Sequence, residues 1–348
     1  MSAAPTPTTA YDTAWSAAMR PWWHVVARSG DLPPGGVLPV RLLGEDFVLW
    51  RDERGAAHLN GDTCPHRGVR LSLGAVEHGC IRCPYHGWAF DGSGTCRSIP
   101  QLGHGRTLPG ARLASARVHD DGFFVWACLA DEADERGGVP RFEVLTTGTH
   151  WFWMGEPHDW DAQNLRQIEN FCDVAHFSVL HLDTFGHESG QVCEPSRMTV
   201  EGRTIEFEFE VPVGNPNVPP GPDRDFGPGR FDYRVTLPCT VHLGGASGPG
   251  SVMFVHSTPI DVYRTRVYWG CAFPIGQYLD GESYAAVEAA IWAPDRTMVA
   301  SQRPRGLPLQ PTAELHLPHD RFALAFRRAL GELGVPSSIP DPEETFRA

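Results

Sequence analysis

Two cysteines and two histidines lie close together in the stretch CPHRGVRLSLGAVEHGCIRCPYHGW, residues 64–88. Cys64 stands two residues before His66, and Cys83 stands three residues before His86. Thiolates and imidazoles are ligands for zinc and for iron–sulfur clusters. Each of two short segments therefore offers one cysteine and one histidine to a metal centre.

Zinc and a [2Fe-2S] cluster are the two explanations for this spacing. A zinc finger usually takes two cysteines from one loop and two histidines from a helix. In a Rieske cluster one iron binds two thiolates and the other binds two imidazoles, which two similar loops can supply. Turn-forming residues flank the ligands in both segments: Pro65, Gly68, Pro84 and Gly87. The spacing C-x-H, sixteen residues, C-x-x-H resembles the Rieske proteins and favours the cluster over zinc.

The resemblance is to Rieske proteins that lack a disulfide. Those of respiratory complexes carry an extra cysteine in each loop, and Val69 and Tyr85 occupy these positions here. Rieske potentials span about -150 to +300 mV, and the missing disulfide predicts a value in the lower part of that range. Cys80 and Cys96 do not fit the ligand spacing, so we interpret them as structural cysteines.

A second group of ligand residues lies in ENFCDVAHFSVLH, residues 169–181. Asp173 and His176 are three residues apart and share one face of a helix. His181 follows His176 by five residues, about 140° around an ideal helix. The two imidazoles can therefore reach one metal only if the helix ends or bulges between them.

The pattern E-N-x-x-D-x-x-H-x-x-x-x-H resembles the Rieske non-heme iron oxygenases, in which this segment gives two histidines to a mononuclear Fe(II). The resemblance covers nearly the whole chain, and the C-terminal part looks like the monooxygenase branch that includes the saxitoxin-type hydroxylases. It implies an iron site of two histidines and one carboxylate, formed by His176, His181 and Asp295. Glu288 is the alternative carboxylate, because Pro294 departs from the acidic residue common in the family.

The resemblance also implies a role for Asp173 in electron transfer. In the family this carboxylate contacts the iron-ligand histidine, here His176, and a Rieske histidine of the neighbouring subunit. A homotrimer is therefore expected, with electrons crossing between subunits. Glu169 and Asn170 are expected to support the iron site or the subunit interface.

Charge and cysteine content limit the partners and the compartment. The chain has 29 Lys and Arg against 42 Asp and Glu, a formal charge of -13, and no basic run that would bind nucleic acid. No apolar segment is long enough to cross a bilayer. Nine cysteines without an export signal indicate reduced thiols in the cytoplasm.

The length of 348 residues predicts two domains after an N-terminal segment. We expect the segment at 1–20, a small antiparallel β Rieske domain at 21–130 and the iron domain at 131–348. The iron domain reads as α+β, and the resemblance implies a helix-grip (START-like) antiparallel sheet. Its predicted elements are a helix within 159–183, strands in 197–212 and 250–274, a Pro/Gly-rich mobile loop at 213–231, and helices at 281–303 and 319–334.

The function implied by the resemblance is a terminal oxygenase. A separate reductase or ferredoxin brings electrons from NAD(P)H, since no dinucleotide-binding fingerprint is found. O₂ is activated at the iron to hydroxylate or oxidatively demethylate a ring-containing small molecule, in a pocket near Phe177, the 213–231 loop and strands 235–273. The alternatives are arene cis-dihydroxylation, a non-catalytic Rieske electron-transfer protein and a zinc-bound ligand carrier.

Overall fold

The chain forms two compact units. The computed structural model describes residues 9–103, 106–131, 135–186, 193–214, 226–245, 248, 250–277 and 280–338. The smaller unit comprises Ser16–Val139 and Thr258–Asp261. The larger unit comprises Met1–Trp15, Pro140–Ser257 and Val262–Ala348.

Helix α1, Ala10–Met19, begins inside the segment that the sequence analysis left without an element. The Thr9 N–H donates to the Asp12 carboxylate at 2.8 Å, and the Asp12 N–H donates to Thr9 Oγ1 at 3.1 Å. This reciprocal pair satisfies backbone donors at the start of the helix. Trp15 and Met19 are fully buried, so apolar burial as well as capping stabilises a helix that the Pro- and Thr-rich start obscured.

The smaller unit is built from antiparallel strands, as predicted. Its strands are β1 His24–Arg28, β2 Val37–Leu42, β3 Glu45–Arg51, β4 Ala57–Gly61, β5 Ala75–Glu77, β6 Cys80–Arg82, β7 Ala89–Phe90, β8 Cys96–Ser98, β9 Ser115–Asp120 and β10 Phe124–Cys128. Six of them form one sheet in the order β1-β10-β9-β4-β3-β2, and a second sheet has the order β5-β6-β7-β8. The second sheet carries the loop that contains Cys83 and His86.

A hydrophobic core holds the four-stranded sheet and both cysteine loops in place. Trp50, Ile81 and Phe90 are fully buried in one cluster that also contains Cys64 and Cys83. The buried indole N–H of Trp50 donates to Asn60 Oδ1 at 2.9 Å, which avoids the cost of an unpaired polar group. The ligand loops are thus anchored by apolar packing beneath them.

The larger unit has a mainly antiparallel eight-stranded sheet flanked by helices, which confirms the predicted α+β class. Its strands are β11 His150–Met154, β12 His158–Trp160, β13 Arg197–Glu201, β14 Thr204–Gly214, β15 Phe226–Thr236, β16 Thr240–Gly244, β17 Val252–Asp261 and β18 Arg264–Pro274. The order is β11-β18-β17-β16-β15-β14-β13, and β12 also pairs with β18.

The longest strand pair corrects part of the predicted loop. Strands β14 and β15 stay paired from Thr204 opposite Thr236 to Gly214 opposite Phe226. Residues 213–214 and 226–231 are therefore strand, and the central part of the predicted loop, 215–225, lies outside the described residues. The Pro and Gly content misled the prediction because β16 pairs with β15 at Asp232–Thr236, so residues 226–231 lie toward a sheet edge, where proline is tolerated.

Helices α4, Gly281–Ser301, and α5, Arg321–Glu332, confirm the two predicted C-terminal helices. Pro294 lies inside α4 without ending it. Phe322 on α5 packs on Phe207 of β14 with ring centroids 4.5 Å apart. Across the described residues, no helix combines the length and apolar character needed to cross a membrane.

The helix predicted within 159–183 is instead two short helices. Helix α2 spans Asn164–Phe171 and helix α3 spans Phe177–Leu180. Asp159, at the start of the predicted range, lies in β12 and pairs with Arg266 at 2.7 Å. Because residues 158–160 pair with β18, the helix begins only at Asn164. A turn at residues 172–176 then separates α2 from α3.

Burial on α5 gives a first prediction. Leu330 is fully buried and Leu315 is 99% exposed. Leu330→Ala should lower the free energy of unfolding by about 2–5 kcal/mol because it leaves a cavity, whereas Leu315→Ala should stay within about 0.5 kcal/mol. Urea unfolding followed by tryptophan fluorescence measures both variants. Equal effects would contradict the packing described for this helix.

Candidate active site

The two cysteine loops of the smaller unit have the same backbone hydrogen-bond pattern. The Gly68 N–H donates to the Cys64 carbonyl at 2.9 Å, and the Gly87 N–H donates to the Cys83 carbonyl at 3.0 Å. Both glycines have φ of 72°, a left-handed conformation that glycine adopts without strain. The Cys64 N–H bonds the Val69 carbonyl, and the Cys83 N–H makes the matching bond one residue beyond its glycine. The proline and glycine residues of the sequence pattern therefore build two equivalent turns.

These turns bring the four predicted cluster ligands together. Cys64 and Cys83 are 1% and 2% exposed. The rings of His66 and His86 have centroids 4.5 Å apart, and both are partly exposed. Trp88 stacks on His66 at 4.7 Å with an interplanar angle of 5°. Two buried thiols and two outward imidazoles are the arrangement that a Rieske cluster requires.

The chemistry of this donor set fits a metal cluster. His66 Nδ1 is buried and has no hydrogen-bond partner, which costs free energy unless a metal takes its lone pair. Burial, together with the nearby Cys83, raises the pKa of the Cys64 thiol to about 11. A thiol in this setting becomes a thiolate at neutral pH only when a metal stabilises it. Cys64, His66, Cys83 and His86 could therefore hold the cluster.

In the larger unit, the turn between α2 and α3 positions the second ligand set. His176 is the residue before α3 and His181 is the residue after it. The four-residue helix ends before the 140° rotation separates the two rings, and their Nε2 atoms lie 3.2 Å apart. The sequence predicted that a helix must end or bulge between the two histidines. In the structure, a turn precedes α3 at His176, and α3 ends just before His181.

Asp295 completes this group from helix α4. Its Oδ1 atom lies 3.5 Å from His176 Nε2 and 3.2 Å from His181 Nε2. Ligands bound at about 2.1 Å to one metal are separated by about 3 Å. Asp295 Oδ1 is buried without a hydrogen-bond partner, and the three residues form a group with metal-binding geometry. Two histidines and a carboxylate suit a non-heme Fe(II) site with open positions.

The sequence analysis predicted that Asp173 lies on a helix. In the structure it lies in the turn between α2 and α3. Its Oδ2 atom is 3.1 Å from His176 Nδ1, and its Oδ1 atom accepts the Ala175 N–H at 2.8 Å. Desolvation alone would raise the pKa of Asp173, but the hydrogen bond from His176 and that from Ala175 outweigh it, so its pKa is lowered. The carboxylate orients the imidazole so that Nε2 faces the metal group.

The other acidic candidates lie elsewhere. Glu288 is two turns before Asp295 on α4 and accepts the Trp292 indole N–H at 3.1 Å, so it is not part of the three-residue group. Glu169 forms a two-point ion pair with the buried Arg327 at 2.6 and 2.8 Å. Glu169 therefore ties α2 to α5.

A cavity of about 920 Å³ opens onto the three metal-binding residues. The sequence analysis expected its wall at Phe177, in the 213–231 segment and along the later strands, and Phe177, Phe231 and Met253 do line it. It missed the wall formed by α4, which contributes Tyr284, Val287, Glu288, Ile291 and Trp292. The signal was present, because these residues recur at helical spacing up to Asp295.

Comparisons with known proteins match both halves of the chain. Residues 22–114 match the Rieske [2Fe-2S] domain, and residues 160–335 match the vanillate O-demethylase oxygenase C-terminal domain. The chain is 27% identical to methylxanthine N1-demethylase NdmA of Pseudomonas putida over 330 residues, 90% of this chain and 89% of that protein. The solved structure of Pseudomonas putida CBB5 NdmA with caffeine has a TM-score of 0.79 at 25% identity and covers 92% of each chain.

A further solved structure, dicamba monooxygenase bound to dicamba, shares the fold. Its TM-score is 0.74 at 21% identity, over 90% of this chain and 97% of that one.

The fold, the two ligand sets and these matches define a Rieske-type iron oxidoreductase. The chain belongs to the Rieske oxygenases whose catalytic domain is of the vanillate O-demethylase type. It carries a [2Fe-2S] Rieske cluster and a mononuclear iron. The family match decides between cluster and zinc in favour of the cluster, and it confirms the predicted monooxygenase and demethylase branch.

The loops of the smaller unit give a second prediction. Cys83→Ser should abolish the visible absorption of the cluster, because one iron loses a thiolate ligand. Cys96→Ser is the matched control, since Cys96 is also buried but lies outside the ligand pattern. Visible and electron paramagnetic resonance spectra of the purified variants measure the result. Loss of the cluster in both variants, or in neither, would contradict the assignment of ligands.

Proposed function

We propose that this protein is the terminal oxygenase of a Rieske system. It uses O₂ and electrons from a separate NAD(P)H-dependent reductase or ferredoxin to hydroxylate or oxidatively demethylate a ring-containing small molecule. The observation that carries the proposal is the convergence of His176, His181 and Asp295 at the wall of a large, mostly apolar cavity. A pure electron carrier has no use for such a cavity beside a metal site.

The residues of this chain divide the work between the two units. His176, His181 and Asp295 hold the mononuclear iron, and Cys64, His66, Cys83 and His86 hold the cluster. When bound, the cluster supplies single electrons and the iron activates O₂. Three side chains of the cavity wall, Phe177, Phe185 and Phe231, exclude water and place the flat substrate beside the metal.

Demethylation is the favoured form of the reaction. The matching family model describes an O-demethylase, and NdmA is an N-demethylase by name. The balance is one methyl group, O₂, two electrons and two protons giving the demethylated ring compound, formaldehyde and water. Hydroxylation of a methyl carbon and collapse of the resulting hemiaminal or hemiacetal account for this balance.

A homotrimer would place the cluster of one subunit beside the iron of the next. Asp173 has a side chain that is 40% exposed while one of its oxygens holds His176. An exposed carboxylate fixed to an iron ligand suits a bridge to a Rieske histidine of a neighbouring subunit. All nine cysteines are free of disulfides, which supports a cytoplasmic location.

Turnover with methylated ring compounds tests the function. Caffeine, vanillate and dicamba are the first compounds for the panel, supplied with NADH, a ferredoxin-type reductase and O₂. Formaldehyde should form in step with O₂ consumption for at least one methylated ring compound. Reduction of the cluster without any O₂-dependent product across a broad panel of ring compounds would argue against an oxygenase.

A third prediction concerns electron transfer through Asp173. Asp173→Asn should lower turnover by about tenfold to a hundredfold, the usual cost of losing a residue that orients a metal ligand. Iron content should stay unchanged, and O₂-driven reoxidation of the reduced cluster, followed by stopped-flow absorbance, should slow in parallel. Asp161→Asn, at an exposed position before α2, is the control. Slow turnover with normal cluster reoxidation would rule out the bridging role.

A further inference from the structure

Helix α4 gives the cavity a polar position away from the metal group. Tyr284, Glu288, Trp292 and Asp295 all line the cavity and follow one another at intervals of three or four residues, so they share one face of the helix. Asp295 belongs to the metal group. Glu288 is a buried carboxyl, 7% exposed, in a wall that is otherwise mostly apolar or aromatic.

Hydrogen bonds and ring contacts hold the Glu288 carboxyl in one position. Trp292 Nε1 donates to Glu288 Oε2 at 3.1 Å, and the Tyr284 hydroxyl also bonds this carboxyl. The indole of Trp292 is fixed in turn, because it stacks on Phe171 at 5.3 Å with an interplanar angle of 10°. The neighbouring His158 ring lies 4.9 Å from Trp292. The carboxyl is therefore preorganised toward the cavity.

The charges around the cavity leave Glu288 without a basic partner within the described part of the chain. Arg230 lines the cavity but pairs with Asp232 at 2.9 Å and with Glu208 at 3.3 Å, and its side chain is 57% exposed. Burial raises the pKa of Glu288 to about 7, and the bonds from Tyr284 and Trp292 oppose that rise. A buried carboxyl avoids the cost of its charge by holding a proton, unless a cation approaches and stabilises the carboxylate form.

We propose that Glu288 is a specificity-determining residue that binds a protonated amine nitrogen at one end of the substrate. The indole of Trp292 and the phenol ring of Tyr284 line the cavity beside it, and aromatic faces attract such cations. The inference rests on the proposed function, because it assigns one end of the same substrate cavity.

Helix geometry also sets the length of this substrate. Glu288 and Asp295 are seven residues apart, about 10 Å along the helix axis and on nearly the same face. A substrate whose amine meets Glu288 therefore places its opposite end beside the metal group. The preferred class is an aryl compound with an ammonium group at one end and a methoxy, N-methyl or other oxidisable carbon at the other.

A matched pair of ligands tests the inference. The cationic probe is 2-(4-methoxyphenyl)ethylamine, and the neutral probe is 1-methoxy-4-propylbenzene, in which a methyl group replaces the ammonium. Isothermal titration calorimetry of the iron-loaded protein under anaerobic conditions measures both affinities. The wild type should bind the amine about tenfold or more tighter than the neutral probe, as a charged hydrogen bond predicts.

Variants of Glu288 locate the effect. E288Q should lose about tenfold to a hundredfold of the amine affinity and leave the affinity for the neutral probe within about threefold. E288D keeps the charge and should retain the order of the two ligands. Glu282→Gln, at an exposed position of the same helix, is the control and should behave as the wild type.

Three results would overturn the inference: no binding of the amine by the wild type, equal affinity for both probes, or unchanged amine affinity in E288Q. If E288Q does not fold, judged by its cluster spectrum and melting temperature, the ligand order in E288D decides. The assay needs neither reductase nor O₂, so it is independent of turnover. Amine binding that depends on Glu288, together with no O₂-dependent product across the broad panel of ring compounds, would contradict the oxygenase function and leave the role of Glu288 standing.

Discussion

The candidate iron site depends on where one helix ends. His176 and His181 lie at the two ends of helix α3, which has only four residues. A longer helix would turn the second imidazole away from the first. The short helix instead leaves their Nε2 atoms 3.2 Å apart, and α4 brings the Asp295 carboxylate to both. The packing of the sheet and helices of the larger unit thus holds His176, His181 and Asp295 together.

The same turn also carries the acidic side chain that contacts the candidate iron site. Asp173 sits between α2 and α3, holds the imidazole of His176 with one oxygen and remains partly exposed. Two backbone hydrogen bonds at the end of α2 fix its position: the Cys172 N–H donates to the Ile168 carbonyl, and the Asp173 N–H donates to the Asn170 carbonyl. Behind it, the ion pair of Glu169 and Arg327 fixes α2 to α5. This ion pair thus fixes the helix from whose end the turn carrying Asp173 begins.

The sequence could identify candidate ligand residues because metals demand particular side chains at particular spacings. Cys64, His66, Cys83 and His86 come together as their spacing indicates, and so do His176 and His181. Residues that are close in sequence can be predicted to meet because local turns alone bring their side chains together.

Other features could not be predicted, because they depend on contacts distant in sequence. Strand pairing of β12 decides that α2 begins at Asn164, and pairing between β14 and β15 turns part of a Pro/Gly-rich segment into strand. From the sequence, Glu288 was predicted only as an alternative metal ligand. Its place in the cavity wall depends on how α4 packs in the larger unit, which the sequence does not reveal.

The central claim is that one chain holds both a cluster and a separate iron. Iron and acid-labile sulfide per chain, measured on anaerobically purified wild type and on the His176→Ala/His181→Ala variant, test it most directly. The account predicts about three irons and about two sulfides in the wild type. The variant should fall to about two irons with an unchanged cluster spectrum. About two irons in both proteins, from preparations that have lost no labile metal, would contradict it.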